Sequence, residues 1–155
     1  MDQYIHLLHN LANRAGVPPL KQVALQPGMK TVWRVTVHYD RVATSHVIVT
    51  LKRFGYENVV VETVYPGHFG NQPITRSLQL ADYERLTQAL QQFDFDKLSD
   101  QPNIPFYGVD VWLVERAAGG FLKSVGFSPQ SASGDHARLM ALLRQYLPEV
   151  TREIA

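Results

Sequence analysis

Four residues with side chains suited to catalysis lie close together in the second half of the chain. Asp110, Trp112, Glu115 and Arg116 fall within a stretch of seven residues. Carboxylates and an arginine are groups that proton transfer and charge stabilisation use in active sites. The surrounding residues alternate with the period of two that is typical of a β-strand. In a strand, Asp110 and Arg116 point to one face and Glu115 points to the other, so the pattern predicts a hairpin strand and not a catalytic cluster.

Histidines form two further candidate groups. His6 and His9 are three residues apart in a helical pattern, which would place both imidazoles on one helix face. No cysteine or carboxylate follows at ligand spacing, so a solvated helix face is predicted there and no metal site. His38 and His46 are predicted on the outer faces of neighbouring strands, together with Arg34. These three residues are candidates for a binding surface.

The loop from Tyr65 to Asn71 has the composition of a binding site. Its glycines allow close approach of the backbone, and Tyr65, His68 and Asn71 offer aromatic and hydrogen-bonding contacts. These three residues complete the predicted binding set. A long turn that places Phe69 in the core explains the same residues, and this alternative stays open.

Other signatures of chemistry are missing from the sequence. There is no cysteine, no Gly-x-Ser-x-Gly motif, no phosphate-binding loop with lysine and no dinucleotide glycine fingerprint. The spacing of the acidic residues does not place any two of them as a catalytic pair, and Lys52-Arg53 is only a small basic patch. No catalytic residue, cofactor or metal ligand is therefore assigned. Whether the protein is an enzyme stays open, with a non-enzyme favoured.

Composition sets the broad class. The chain has 155 residues, 45% hydrophobic and 19% charged, with a formal charge of +1. These values predict one globular domain without a field that would attract nucleic acid. The first residues lack the pattern of a signal peptide, and no apolar run reaches the length of a membrane span. We expect a cytoplasmic protein with no membrane and no nucleic-acid partner.

Hydrophobic periodicity predicts the elements that position these residues. A first helix ends at Gly16, a β-rich segment begins at Leu20, and Gln26-Pro27-Gly28-Met29 forms a turn. Strands follow at Trp33–Tyr39, Ser45–Leu51 and Asn58–Tyr65, then a weaker edge strand at Ile74–Leu80 and a helix at Ala81–Phe93. A hairpin at Tyr107–Arg116 and Phe121–Phe127, joined through Ala117-Ala118-Gly119-Gly120, precedes a last helix capped by Asp135.

These elements predict an α+β fold with a mainly antiparallel sheet, a meander plus a C-terminal hairpin. Three helices are expected, at least two of them packed on one face. If the apolar rows beginning at Trp33 and Val47 share a face, the connection around Asp40-Arg41-Val42 has an odd number of residues. The valines at 59–61 predict a central strand. The second sheet face, with Arg34, Thr36, His38 and His46, is expected to be partly exposed.

The second half resembles a group of uncharacterised bacterial proteins. The shared residues are Phe93-Asp94-Phe95-Asp96-Lys97-Leu98, then Gly108-Val109-Asp110, Trp112 and Glu115, then Phe127-Ser128-Pro129, and the likeness covers about Leu78 to Leu147. Val111 stands where that pattern commonly has a glycine. The resemblance implies an α+β fold, and some members of the group look like immunity partners of bacterial toxins.

Three functions follow as hypotheses. The leading one is a non-catalytic module that binds another protein, with neutralisation of a bacterial toxin as one form. The alternative is a small-molecule site or a small hydrolytic enzyme at the Tyr65–Asn71 loop, with His68 near the Gly119-Gly120 turn. The third is a homodimer formed through the edge strand Ile74–Leu80.

Overall fold

The computed structural model describes residues 1–41, 43–105 and 107–153. Its helices are α1 (Asp2–Arg14), α2 (Leu20–Ala24), α3 (Leu80–Gln92) and α4 (Gly134–Tyr146). Its strands are β1 (Met29–His38), β2 (Val47–Phe54), β3 (Asn58–Val64), β4 (Ile74–Ser77), β5 (Val111–Ala118) and β6 (Phe121–Phe127). All six strands form one antiparallel sheet in the order β4-β3-β2-β1-β5-β6. The predicted α+β class is confirmed.

The sheet consists of a four-stranded meander and a hairpin. Strands β1 to β4 pair in chain order, so β4 forms one edge, as predicted for that segment. Helix α3 then carries the chain across the sheet, and β5 pairs with β1 on the other side. The hairpin turn is shorter than predicted, because Ala118 pairs with Phe121 and only Gly119-Gly120 lies between them.

The register of β1 and β2 agrees with the alternation of their residues. Trp33 pairs with Leu51, Val35 with Val49 and Val37 with Val47. Directly opposed residues point to the same face, so the two apolar rows share one core as predicted. Residues 38–46 separate the paired Val37 and Val47, an odd number as predicted. Val42, the last residue of the predicted connection Asp40-Arg41-Val42, lies outside the described residues.

The larger core lies between this face and the two long C-terminal helices. Leu86 and Leu90 of α3 and Leu139 and Leu143 of α4 are almost completely buried against it. The expectation that at least two helices pack on one face is confirmed. The predicted cap of α4 is wrong by two residues: the N-cap is Ser133, and Asp135 lies in the first turn.

The opposite face is covered at its centre by α1 and α2, so Arg34 and Thr36 are buried and not exposed as expected, while His38 and His46 are half-buried. Arg34 and Thr36 are 3% and 2% exposed. Helix α1 packs Tyr4 and Leu8 against the start of β5, and α2 packs Val23 beside β1. Alternation along a strand identifies two faces, but it does not tell which later or earlier segment covers each of them.

A helix replaces the β-rich segment predicted from Leu20. Leu20, Val23 and Ala24 are the buried residues of α2, and their spacing of three and four is the helical period. With five residues, α2 is too short for the helical period to be distinguished from the period of two that a strand shows. The predicted turn after it is present: Gly28 has φ 78°, and the Met29 N–H donates to the Gln26 carbonyl at 3.1 Å.

The prediction that Asn58–Tyr65 is a central strand is also wrong. Strand β3 is second from the edge, and Val60 is only half-buried. Val59 and Val61 face the larger core, while the residues of the edge strand β4 beyond β3 are exposed.

Candidate functional site

A line of polar side chains crosses the sheet on the face covered by α1 and α2. Its members are successive cross-strand partners, here called the polar row: Ser124, Glu115, Arg34, Thr50, Glu62 and Thr75. Because opposed residues in an antiparallel sheet project to the same side, all six share one face. The three central members, Glu115, Arg34 and Thr50, are buried.

Apolar rows flank the polar row on both sides. On one side α2 packs on Val32 and Ala117, and on the other side α1 packs on Leu113 and Ile48. The connection between the two helices passes over Arg34, whose Nη1 donates to the Pro18 carbonyl at 2.8 Å. The two N-terminal helices therefore enclose the three central members of the polar row and leave them little access to solvent.

Arg34 is the charge at the centre of this face. Its Nε donates to Thr50 Oγ1 at 3.0 Å. Burial lowers the pKa of Arg34, while the charges of Glu115 and Glu62 oppose that change. A guanidinium remains charged in proteins and has five N–H donors. The hydrogen bonds to Thr50 and Pro18 use two of them.

Glu115 lies beside Arg34 and is linked to α1. It is 3% exposed, and its carboxylate hydrogen-bonds to His9 Nε2 at 3.0 Å. That hydrogen bond raises the pKa of His9 above its usual value, although partial burial opposes the change. His9 thus brings a positive charge to the buried carboxylate when it is protonated, and it lies at the outer edge of the site.

A cavity of about 380 Å³ opens beside these charges. We call it the N-terminal cavity. Arg34, Thr36 and Glu115 line its floor, while its walls come from α1, α2 and β6: His9, Asn10, Ala12, Asn13, Val17, Pro19, Leu20, Lys21 and Leu122. Two buried charges thus lie at the floor of a mainly apolar cavity. This arrangement is typical of a small-molecule site, in which a few polar groups orient an apolar ligand.

A smaller cavity of about 90 Å³ lies on the other side of Arg34. Thr50, Glu62 and Asn71 contribute polar groups to it. Glu62 is also paired with Lys52 at 3.0 Å. This space is too small for more than a few atoms, so the N-terminal cavity is the candidate site.

Two predicted site residues, His38 and His46, lie together but away from this cavity. Their rings stack with centroids 4.4 Å apart. His46 Nδ1 accepts a hydrogen bond from the Tyr39 N–H at 3.0 Å. Burial, followed by the neighbouring His38, lowers the pKa of His46 to about 4. Four residues along a strand separate His38 from Arg34, which is about 13 Å, so the pair belongs to a different part of the sheet.

The Tyr65–Asn71 loop is built differently from both sequence interpretations. Tyr65 is buried in the larger core, whereas Phe69 is 59% exposed. The alternative that places Phe69 in the core is therefore wrong. The Asn71 side-chain oxygen accepts from the Gly67 N–H at 2.7 Å and holds the loop closed. Half-buried His68 contacts the Phe69 ring.

The predicted site between His68 and the Gly119-Gly120 turn is also wrong. His68 follows the end of β3, which pairs with the start of β2, whereas the turn follows the end of β5, which pairs with the start of β1. These are opposite ends of the sheet, about 24 Å apart for an eight-residue strand. Asp110 likewise lies apart from Glu115 and accepts from the Asp40 N–H at 2.8 Å.

Sequence reasoning missed His9 and Glu115 as partners in one site. Alternation correctly separates Glu115 from Asp110 and Arg116, yet it does not indicate what lies above Glu115. A signal was present in β5, because the run Val111–Val114 is apolar on both faces. Such a run predicts cover on both sides, and a glutamate within it is then a buried charge.

No protein-family model matches the chain, and no curated protein is significantly similar to it. The resemblance to uncharacterised bacterial proteins therefore stays a prediction. In the part of the chain that the structure describes, every helix is too short or too polar to cross a bilayer.

Proposed function

We propose that this protein binds a small zwitterion with an apolar side group, such as a free apolar amino acid, in the N-terminal cavity. One observation carries the proposal: Arg34 and Glu115 are opposed on β1 and β5 and both line that cavity. A ligand carboxylate would accept from Arg34, and its ammonium group would donate to Glu115. No catalytic step is part of the proposal.

The energetics of burial support a ligand at this position. A buried charge is destabilising unless it is paired and hydrogen-bonded. Arg34 has two hydrogen-bond partners, and Glu115 shares its carboxylate with His9, whose side chain is about half exposed. A zwitterion would supply a further charged hydrogen-bond partner to both residues at once. Ala12, Val17 and Leu122 then contact its apolar side group.

Calorimetric titration with L-leucine and L-phenylalanine tests the proposal. We expect saturable binding of at least one of them. Leucinamide, which lacks the carboxylate, and N-acetylleucine, which lacks the ammonium, are each expected to bind at least about tenfold more weakly, or about 1.4 kcal/mol, the loss of one charge-assisted hydrogen bond. Equal affinity for all three leucine compounds, or no saturable heat with either amino acid, would contradict the proposal.

A matched pair of variants on α1 separates binding in the cavity from binding elsewhere. Asn13 is exposed and lines the cavity, while its neighbour Arg14 is exposed and does not line it. Asn13→Trp is expected to fill the opening and abolish binding, and Arg14→Trp to leave the affinity unchanged. Because both residues are exposed, neither change removes a core contact.

A second proposal keeps the protein-binding hypothesis and moves it to the β4 edge. Every residue of β4 is exposed, including the apolar Ile74, and Phe69 in the loop before it is exposed as well. Unpaired strand edges pair with other chains. Phe69 also has φ 53°, a conformation that bulky residues seldom adopt. A partner strand is the proposed occupant, either from a second copy or from a toxin that this chain neutralises.

Light scattering and copurification test this second proposal. A homodimer through β4 predicts twice the monomer mass, and Ile74→Lys returns the mass to that of a monomer. A toxin partner predicts that a toxin encoded beside this gene copurifies with the chain, and that Ile74→Lys weakens the complex. A monomer that retains no such toxin counts against both forms. Gln88→Lys, at an exposed residue of α3, serves as the control charge.

A further inference from the structure

A second cavity lies on the opposite face of β1 from the polar row. Its volume is about 420 Å³. It lies where β1 begins and β2 ends, under the second half of α3 and the turn that follows it. We call it the Trp33 cavity. Trp33, Tyr83 and Phe95 form its aromatic wall, and the arginines Arg53 and Arg116 also line it.

Hydrogen-bond donors without acceptors concentrate at this cavity. Among the described residues, three buried side-chain nitrogens have no partner: Trp33 Nε1, Arg53 Nε and His38 Nδ1. The first two belong to residues that line the Trp33 cavity. Both atoms are N–H groups that cannot accept a hydrogen bond. Buried donors are rarely left unpaired, so these two N–H groups favour a ligand that accepts hydrogen bonds.

The arginines identify the kind of acceptor. Arg116 holds Asp96 by two parallel hydrogen bonds, Nε to Oδ1 at 2.9 Å and Nη2 to Oδ2 at 2.7 Å. This is the bidentate geometry in which a guanidinium binds a carboxylate. The Arg53 guanidinium lies over the Tyr83 ring, 5.5 Å from its centroid. Burial raises the pKa of Tyr83, and the charges of both arginines oppose that change.

The acidic residues of the cavity belong to its rim. Asp94 and Asp96 are exposed, whereas Trp33 and Tyr83 are buried. The interior therefore presents donors and aromatic surface, while the rim supplies one carboxylate that already occupies Arg116. A ligand carboxylate would compete with Asp96 for this guanidinium.

We propose that the Trp33 cavity binds a small aromatic carboxylate, held by Arg53 and Arg116 with its ring against the aromatic wall. The site is independent of the N-terminal cavity, because β1 separates the two and no lining residue is shared. Asp96 limits its affinity by competing for Arg116.

Tryptophan fluorescence gives a direct measurement. The chain has two tryptophans, so Trp112→Phe leaves Trp33 as the single emitter. Benzoate is expected to change the emission saturably, and its neutral isostere benzamide to bind at least tenfold more weakly. Calorimetry on the unsubstituted chain gives the same comparison without the substitution. Equal binding of benzoate and benzamide, or no saturable response to benzoate in either measurement, overturns the proposal.

Two variants are expected to change benzoate affinity in opposite directions. Arg116→Gln weakens binding tenfold or more, while Asp96→Asn strengthens it several-fold because the competing carboxylate is lost. Asp96 is exposed, so this variant remains informative even if Arg116→Gln fails to fold. Arg85→Gln, at an exposed arginine of α3 outside the cavity, leaves the affinity unchanged. Weaker binding by Asp96→Asn, or displacement of benzoate by inorganic phosphate more readily than by acetate, contradicts a carboxylate site.

Discussion

At the scale of single residues, the surroundings of His9 and His46 shift their pKa values in opposite directions. His9 gains a carboxylate partner, so its pKa rises, whereas His46 is buried beside a second imidazole, so its pKa falls to about 4. His9 therefore stabilises the fold below its unfolded pKa of about 6.5, and this contribution is lost as the pH rises through its folded pKa. The contribution is small, because His9 is half exposed.

The lowered pKa of His46 predicts that the folded protein loses stability in acid. The unfolded chain protonates this histidine near pH 6.5 and the folded chain near pH 4, so the unfolded state binds more protons between these values. The free energy of unfolding is expected to fall by about 1–2 kcal/mol over this range after allowance for solvent screening. Urea unfolding at successive pH values measures it.

His46→Asn is the informative variant for that prediction. An asparagine oxygen can still accept from the Tyr39 N–H, but it does not titrate. The variant is expected to lose the part of the decrease that His46 contributes, while His38, whose pKa burial also lowers, still titrates. His6→Asn, on the exposed side of α1, keeps the wild-type profile. An unchanged profile in His46→Asn would show that other groups cause the decrease.

At the scale of elements, the end of α1 decides whether the polar row is covered. Gly16 follows the helix with φ 77°, a left-handed conformation that ends the helix and redirects the chain into α2. The same connection places the Pro18 carbonyl on Arg34. The cover over the candidate site therefore depends on one glycine.

Gly16→Ala is expected to destabilise the protein by about 1 kcal/mol, because a Cβ disfavours this conformation. Nothing else lies within 4 Å of the added atom, so the effect is one of backbone strain alone. Gly120→Ala has equal space and no positive φ, and it is expected to be nearly neutral. Thermal unfolding of the two variants compares them; equal melting temperatures would contradict the assignment.

At the scale of the whole molecule, the sheet is a shared wall between two unequal cores. The face toward α3 and α4 carries one large apolar cluster, while the face toward α1 and α2 holds three small clusters around the polar row. The stability of the fold is thus expected to come mainly from the C-terminal side. On the N-terminal side, buried charges occupy positions where apolar contacts would otherwise form. Ligand binding is proposed at these charges.

Phe127→Ala tests where stability resides. Phe127 is completely buried, with its ring centroid 5.6 Å from that of Trp112. Its removal is expected to lower the free energy of unfolding by about 3–5 kcal/mol, the usual loss for a buried phenylalanine. Phe69→Ala, at an exposed ring, is expected to lower it by less than about 1 kcal/mol. Similar losses in urea unfolding would contradict this account of the core.

The sequence alone determined every long element, though not the short helix α2, and the division of residues between two faces. Period-two alternation placed Glu115 opposite Arg116, and helical spacing identified α1, α3 and α4, because these patterns depend only on local backbone geometry. Only the tertiary structure decided what covers each face. Helices α1 and α2 pack over Arg34 and Glu115, two residues that are far apart in the sequence. No local periodicity of the residues indicates such a contact. Exposure, and with it the identity of the candidate site, therefore came from the fold.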